Sequence, residues 1–410
     1  MKARLLAVLE WAGLGAAAGA LCGVASAVFL VALEHATAYR TAHSWLVYLL
    51  PLAGLVIGLV YERWGKPIAP GTSLIIDSIH EATPQIPLRM APMVLAGTVL
   101  THFFGGSAGR EGTAVQMGAS LADAVAHRLG VSRGRRRQLL AAGIAGGFGS
   151  VFGTPVAGTI FGLEVVAIGR MEYDALFPAL VAALLGDYVT RRLGVVHTAY
   201  PAVGHTSFTA LVAAKLVVIG LAMAGATVAF IELTHALKKH LSKIRLPLRM
   251  ALGGAVVVAL WRLFEGLSMN GSDYLGLGVP TIVRAFSDPE LPSYAFALKL
   301  LLTAITIGAG FLGGEVTPLF FVGATLGSVL ARFLGLPIEL GATVGIAAVF
   351  GAAANTPLAL SIMAVELCGA EALPHVLVVS AIAYLASGHR SIYPSQLRRG
   401  KKIGWTIERD

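Results

Sequence analysis

Two glycine-rich breaks hold the residues best suited to chemistry. Gly105-Gly106-Ser107-Ala108-Gly109-Arg110-Glu111-Gly112 precedes an apolar segment starting at Thr113, and Gly310-Phe311-Leu312-Gly313-Gly314-Glu315-Val316-Thr317-Pro318 opens a second one. Glycine frees the backbone to turn its N–H groups toward a ligand, and Pro318 behind Thr317 is a helix-start signal. Each break therefore presents a helix N-terminus, whose unpaired amides and positive dipole end attract anions. Glu111 is a carboxylate aimed at such a site. Ionised, it competes with a transported anion; protonated, it lets go. That mutual exclusion is a physical basis for exchanging an anion against a proton. Two plainer readings compete. Glu111 forms a structural pair with Arg110 or Arg89, or the glycines serve only close helix packing, as in Gly15-x-x-x-Gly19 and Gly54-x-x-x-Gly58.

The elements that must position these breaks are membrane helices. Of 410 residues, 56% are apolar and 13% charged, against roughly a quarter charged in soluble domains. With a mean hydropathy of +0.77, the chain is not a soluble enzyme, because only lipid tolerates so much apolar surface. Continuous runs such as 12–33 and 46–60 exclude the alternating strands of a barrel. The fold class is an all-α polytopic membrane protein, in which an intramembrane Glu111 is a functional candidate by default.

Long apolar segments are expected near 4–34, 45–62, 88–104, 138–168, 175–193, 206–236, 247–267 and 293–310. Shorter ones near 72–79, 113–129, 278–287, 316–334, 341–352, 357–369 and 372–386 are bounded or broken by Gly or Pro. Several fall short of the roughly 20 residues needed to cross a bilayer, so their ends must lie in protein or line a cavity.

The charge balance is 31 basic against 22 acidic side chains, or +9. The basic residues cluster in short segments: Arg133 to Arg137, then Lys238 to Arg249, then Arg398, Arg399, Lys401 and Lys402. Short Lys/Arg-rich loops stay cytoplasmic, which places all three clusters and both termini inside and removes any need for a nucleic-acid partner. Ala25-Ser26-Ala27 imitates a signal cleavage site, but the apolar run continues to Leu33, so a retained first helix is expected. Cys22 and Cys368 fit neither a disulfide framework nor a metal site.

Internal repetition gives the domain plan. Gly118-Ala119-Ser120-Leu121 with Leu129-Gly130 recurs as Gly323-Ala324-Thr325-Leu326 with Leu334-Gly335, an offset of 205. Phe148-Gly149 through Thr154-Pro155 to Glu164 recurs as Phe350-Gly351 through Thr356-Pro357 to Glu366 at 202, and Gly71 matches Gly278 at 207. Transporters are commonly built from related halves with the site between them. The expected division is a first transmembrane repeat over 1–168, a connecting helix and loop over 169–204, and a second, inverted repeat over 205–410 with a short cytoplasmic tail. The odd number of crossings inverts the second half and brings the 133–137 and 238–249 clusters to one face.

Gly109-Arg110-Glu111-Gly112-Thr113 with Val115-Gln116-Met117-Gly118 resembles the GREGP signature of the CLC family of anion channels and transporters. The resemblance covers nearly the whole chain, including the repeat, the Thr-Pro helix starts and Tyr393 in Ser391-Ile392-Tyr393-Pro394. It implies an inverted repeat of broken and re-entrant helices and a homodimer with one pathway per subunit. It also implies that Glu111 is the external gating glutamate and that Tyr393 donates its hydroxyl to the central anion.

Departures from the common pattern refine the resemblance. Where chloride-handling members show GSGIP, this chain reads Gly71-Thr72-Ser73-Leu74-Ile75, and where they carry GxFxP it reads Gly314-Glu315-Val316-Thr317-Pro318. Thr72 thus takes the serine position, Val316 the aromatic position, and Thr113 the final proline position of GREGP. Together these look like the fluoride/proton antiporter branch, CLC-F, whose members carry GREGT and a GxEVTP-like segment. Many chloride/proton exchangers also have a second glutamate relaying protons inward, where this chain has Val165 after Glu164.

With that relay missing, either coupling is lost or Glu111 travels inward to meet another acid, and Glu315 is the candidate. Fluoride is strongly hydrated, so its site must replace water with close donors. Thr72, Thr317, Tyr393 and the backbone amides around Gly112 and Thr113 are the candidate set. Gly13-x-Gly15 lacks the strand of a dinucleotide loop. His102 reads as a polar interfacial side chain, and no cofactor or metal is expected. A membrane-embedded hydrolase is disfavoured because no Ser/His pair, Asp pair or His/Glu metal cluster stands out.

The reading is a proton-coupled fluoride exporter of a bacterial-type plasma membrane, with a chloride/proton exchanger or passive anion channel as its rival. A Glu315→Gln protein in liposomes is expected to lose coupled proton flux, read with a pH electrode. Unchanged flux contradicts the Glu315 relay.

Overall fold

The computed structural model describes residues 2–81, 84–398 and 402. Arg399 and Lys401 of the third basic cluster lie outside the described residues. The first half of the chain folds as α1 (Lys2–Ala42), α2 (Leu50–Trp64), α3 (Thr72–His80), α4 (Met90–Phe103), α5 (Glu111–Arg128), α6 (Arg133–Phe152), α7 (Pro155–Glu164) and α8 (Leu176–Arg192). The second half follows with α9 (Ala210–Leu241), α10 (Leu246–Gly266), α11 (Val279–Arg284), α12 (Ala295–Gly308), α13 (Val316–Leu334), α14 (Ile338–Ala354), α15 (Pro357–Cys368) and α16 (Leu373–Ala386).

Glycine and proline set many of these boundaries. Prolines open α7 and α15 at their first position, where the missing N–H has no partner to lose. Gly153 and Gly335 end α6 and α13 in the left-handed region that a β-carbon disfavours. Among the described residues five helices are long and apolar enough to cross a bilayer, namely Leu5–Ala42, Ser44–Trp64, Ala210–Leu241, Leu246–Gly266 and Val316–Leu334. The others are shorter or, like α5 and α6, less apolar. Helix α1 runs through Ala25-Ser26-Ala27 without a break, and both cysteines are buried and unpaired.

The two halves pack by the same rule. In the first, Gly118 of α5 and Gly143 of α6 lie so close that a β-carbon on either would strike the other's carbonyl. In the second, Gly323 of α13 and Gly345 of α14 stand in the same relation, with Gly327 and Gly341 one turn on. Lipid supplies no hydrophobic drive between helices, so close backbone contact and dispersion must hold them together. Gly15 and Gly19 of α1 approach α8, and Gly54 and Gly58 of α2 approach α10, in the same manner.

Two reciprocal contacts tie the halves together. Glu164, the last residue of α7, accepts hydrogen bonds from Leu358 N–H (3.2 Å) and Ala359 N–H (2.8 Å) at the start of α15. Glu366, near the end of α15, accepts from Val156 N–H (3.0 Å) and Ala157 N–H (2.7 Å) at the start of α7. Each carboxylate satisfies orphan amides at the positive end of the opposing helix. Glu164 is thus a helix cap, which accounts for a glutamate at this point without a relay function. The chain after α16 returns along the core, where β2 (Leu397–Arg398) pairs in parallel with β1 (Ala167–Ile168). Gln396 donates to the carbonyls of Val165 and Ala354, both at 2.7 Å, and Ile392 N–H donates to Ala353 (3.0 Å). These bonds fix Tyr393 between them.

Substituting Gly323 by Val should destabilise the fold by about 1–3 kcal/mol or more, because the side chain meets an immovable carbonyl. Gly13, with open space around it, should accept Ala with a gain of roughly 0.5–1 kcal/mol. Thermal unfolding in detergent separates the two, and equal melting temperatures would contradict the packing argument.

Candidate anion and proton site

The two glycine-rich breaks meet. Gly109 N–H donates to Gly314 C=O (2.6 Å) and Gly314 N–H to Gly109 C=O (2.8 Å), forming an antiparallel bridge between the halves. Side chains on Gly109 or Gly112 would strike Gly314, so this contact requires the glycines that the two motifs supply. The backbone of 109–112 is thereby laid beside the start of α13.

Glu111, the first residue of α5, is fully buried and docked on that start. Its Oε2 accepts hydrogen bonds from Thr317 N–H (3.1 Å) and from Arg110 N–H (3.0 Å), while Oε1 accepts from the Thr317 hydroxyl. The carboxylate oxygens stand where an anion would sit at a helix N-terminus. Arg110 Nε lies 3.5 Å from Oε1, so the plainer reading of a pair with Arg110 is present beside the anion-site reading. Arg89, at the start of α4, makes no ion pair among the described residues. A buried charge is costly unless paired and hydrogen-bonded, and Thr317 with Arg110 meets that cost.

A cavity of about 500 Å³ opens next to the docked carboxylate, lined by Thr72, Thr113, Gln116, Glu315 and Tyr393 together with Lys238 and Arg249. The structure thus gathers Thr72, Thr113, Glu315 and Tyr393, expected to act together, into one space. Gly112, Val316 and Thr317 are buried behind it, with Thr317 engaged by Glu111. Thr72 Oγ1 accepts from Gln116 Nε2 (3.2 Å), and the Thr113 hydroxyl pairs with that of Thr98 (2.6 Å). The Tyr393 hydroxyl has no hydrogen bond among the described residues. A second cavity, about 530 Å³, is lined by Arg110, Glu34, Thr37, His197 and Val279. In the chain Glu111 lies between Arg110, which lines this cavity, and Thr113, which lines the first.

Three features were not foreseen. His102 is not interfacial but fully buried, its Nδ1 at 2.8 Å from Thr98 C=O and its Nε2 at 2.9 Å from Ala108 C=O. It holds the loop that leads into Glu111, and Ser107 anchors the same loop to Thr303 and Thr306 of α12. Gln116 belongs to the cavity wall; its place three residues after Thr113 puts both on one face of α5, which is the signal that marks it. Lys238 lies 4.0 Å from Glu315, and no local spacing announces a contact between α9 and the break before α13.

Comparison with known proteins agrees with this geometry. The chain is 47% identical, over 95% of its length and 86% of the relative, to a chloride/fluoride channel protein of Pseudomonas syringae pv. tomato. Its fold superposes on the crystal structure of a CLC-type fluoride/proton antiporter with a TM-score of 0.90 at 36% identity, covering 95% of this chain and 98% of that one. A slow cyanobacterial Cl−/H+ antiporter shares the fold at a TM-score of 0.80 and 18% identity, over 92% and 94% of the two chains. Residues 53–388 match the family described as voltage gated chloride channel, and the chain is an integral membrane protein belonging to that family of anion transport proteins.

Proposed function

We propose that this protein is a proton-coupled fluoride antiporter that expels fluoride in exchange for inward protons. The observation that carries the reading is the Glu111 carboxylate seated on the amide and hydroxyl of Thr317. An ionised Glu111 there excludes an anion from the same donors. Protonation weakens its hold, because a neutral carboxyl accepts less strongly from N–H and O–H donors than a carboxylate. Fluoride then takes the site and Glu111 carries its proton away. Since one site cannot hold both, net fluoride movement in one direction requires proton movement in the other.

The surroundings suit fluoride. Its hydration shell must be replaced by short donors, and Thr72, Tyr393, Thr317 and the amides around Gly112 and Thr113 supply them. Val316 keeps the approach dry, which strengthens each of those interactions. Glu315, lining the cavity, takes the proton delivered by Glu111 in place of the relay that Val165 does not provide. The relative from Pseudomonas syringae and the structural match to a fluoride/proton antiporter support the same reading. The word chloride in the relative's name favours one alternative, a chloride/proton exchanger or passive anion channel on the same scaffold.

The protein acts as a homodimer in a bacterial-type inner (plasma) membrane, with one pathway per subunit and both termini cytoplasmic. The cavity bearing Lys238 and Arg249 then faces the cytoplasm and the Arg110 cavity faces outward. The chain divides into repeats 1–168 and 205–410 joined by 169–204.

In liposomes carrying fluoride and pH electrodes, Glu111→Gln should abolish proton movement, and proton flux at the wild-type rate would refute the gate. Thr317→Val should slow fluoride efflux roughly ten- to a hundredfold, the loss of a hydrogen bond to a charged group. Chloride flux equal to fluoride flux in the native protein would reject the fluoride assignment.

A further inference from the structure

Glu315 poses an electrostatic problem that the exchange scheme leaves open. It is a carboxylate in the wall of the inner cavity, on the route an anion must take, and a bare negative charge there repels fluoride. The matching position in the first half, immediately before the helix start, is held by Arg110, a cation. The inversion therefore sets a positive charge at the outer approach and a negative one at the inner approach. At the two matching positions before the helix starts, only the inner one therefore carries a negative charge that calls for a counter-charge.

Lys238 supplies one. It lies in the last turn of α9, where the helix dipole favours a cation, and its Nζ is 4.0 Å from Glu315 Oε1. The Lys238 side chain is 46% exposed and that of Glu315 15% exposed. Glu315 is thus largely shielded while Lys238 reaches the cavity water, which puts the pair where it sets the charge at the inner mouth. The other titratable and charged groups around Glu315 in that cavity are Arg249 of α10, Tyr61 of α2 and Tyr393 after α16. Glu111 is bound to Thr317, two residues further on. Lys238 is the cation in ion-pair contact with Glu315 among the described residues.

We propose that Lys238 is a positioning residue for the proton-transfer step: it balances the Glu315 carboxylate at the inner mouth, so that Glu315 can accept a proton from Glu111 and release it to cavity water. This rests on the reading in which Glu315 receives the proton. The step moves one proton from the Glu111 carboxyl to the Glu315 carboxylate and then to water, leaving Glu315 ionised and again paired with Lys238. With Lys238 in place, Glu315 does not repel the incoming fluoride and does not hold its proton too tightly to give it up.

The test is the internal-pH profile of coupled fluoride efflux and proton influx from liposomes for Lys238→Met, Lys238→Arg, Glu315→Gln and the Lys238→Met/Glu315→Gln double variant. Lys238→Met should move the half-maximal point of proton delivery upward by about one pH unit or more and slow coupled flux several-fold at neutral pH. Lys238→Arg should restore the native profile, and in the Glu315→Gln background Lys238→Met should slow the residual fluoride efflux no further. An unshifted profile for Lys238→Met, or an equal loss with and without Glu315, overturns the proposal. If Glu315→Gln itself retains coupled proton flux, the relay reading falls and this proposal with it. If Glu315→Gln is inactive while Lys238→Met is native, only the role of Lys238 falls.

Discussion

A carboxylate buried on a helix N-terminus is the constraint around which this molecule is arranged. Glu111 is fully buried, and an isolated charge at that depth is not tolerable. The Thr317 amide and hydroxyl, the Arg110 amide and the Arg110 guanidinium make it tolerable. Thr317 comes from the opposite half of the chain, so the two halves must be held in register to within a fraction of an ångström. Only backbones without side chains can approach closely enough, and the Gly109–Gly314 bridge follows from that requirement.

The frame behind the bridge is correspondingly stiff. Glycine contacts between α5 and α6, and between α13 and α14, bring helices to backbone distance. The reciprocal carboxylate caps of α7 and α15 tie the halves together a second time. His102 and Ser107 then fix the loop between α4 and α5 to both halves. In the proposed exchange only the Glu111 side chain has to move, leaving the donors of Thr317 free for an anion. A rigid backbone with one mobile charge is what mutually exclusive occupancy needs.

Much of this was legible in the sequence, for local reasons. Apolar runs and their Gly/Pro interruptions report secondary structure directly, and repeated motifs at offsets of 202 to 207 report the two-part plan. The convergence of 109–113 with 314–318 followed from that plan together with the anion chemistry of helix starts. Contacts between unrelated positions were not legible. Glu164 and Glu366 matched each other as a repeat pair, yet their capping roles depend on how α7 and α15 cross. His102 was misjudged because periodicity alone does not say which face of α4 meets the Ala108 loop. Lys238 was read only as topology, since a basic cluster near a helix end satisfies the positive-inside rule whether or not one member turns inward.

The central claim is that fluoride and the Glu111 carboxylate compete for one set of donors. Its most direct test is the proton balance of fluoride binding to detergent-solubilised protein in weakly buffered solution at a pH where Glu111 is ionised. Displacement of the carboxylate into a protonated state predicts uptake of about one proton per fluoride bound, with no uptake in Glu111→Gln. Saturable fluoride binding by the native protein without proton uptake would contradict the account.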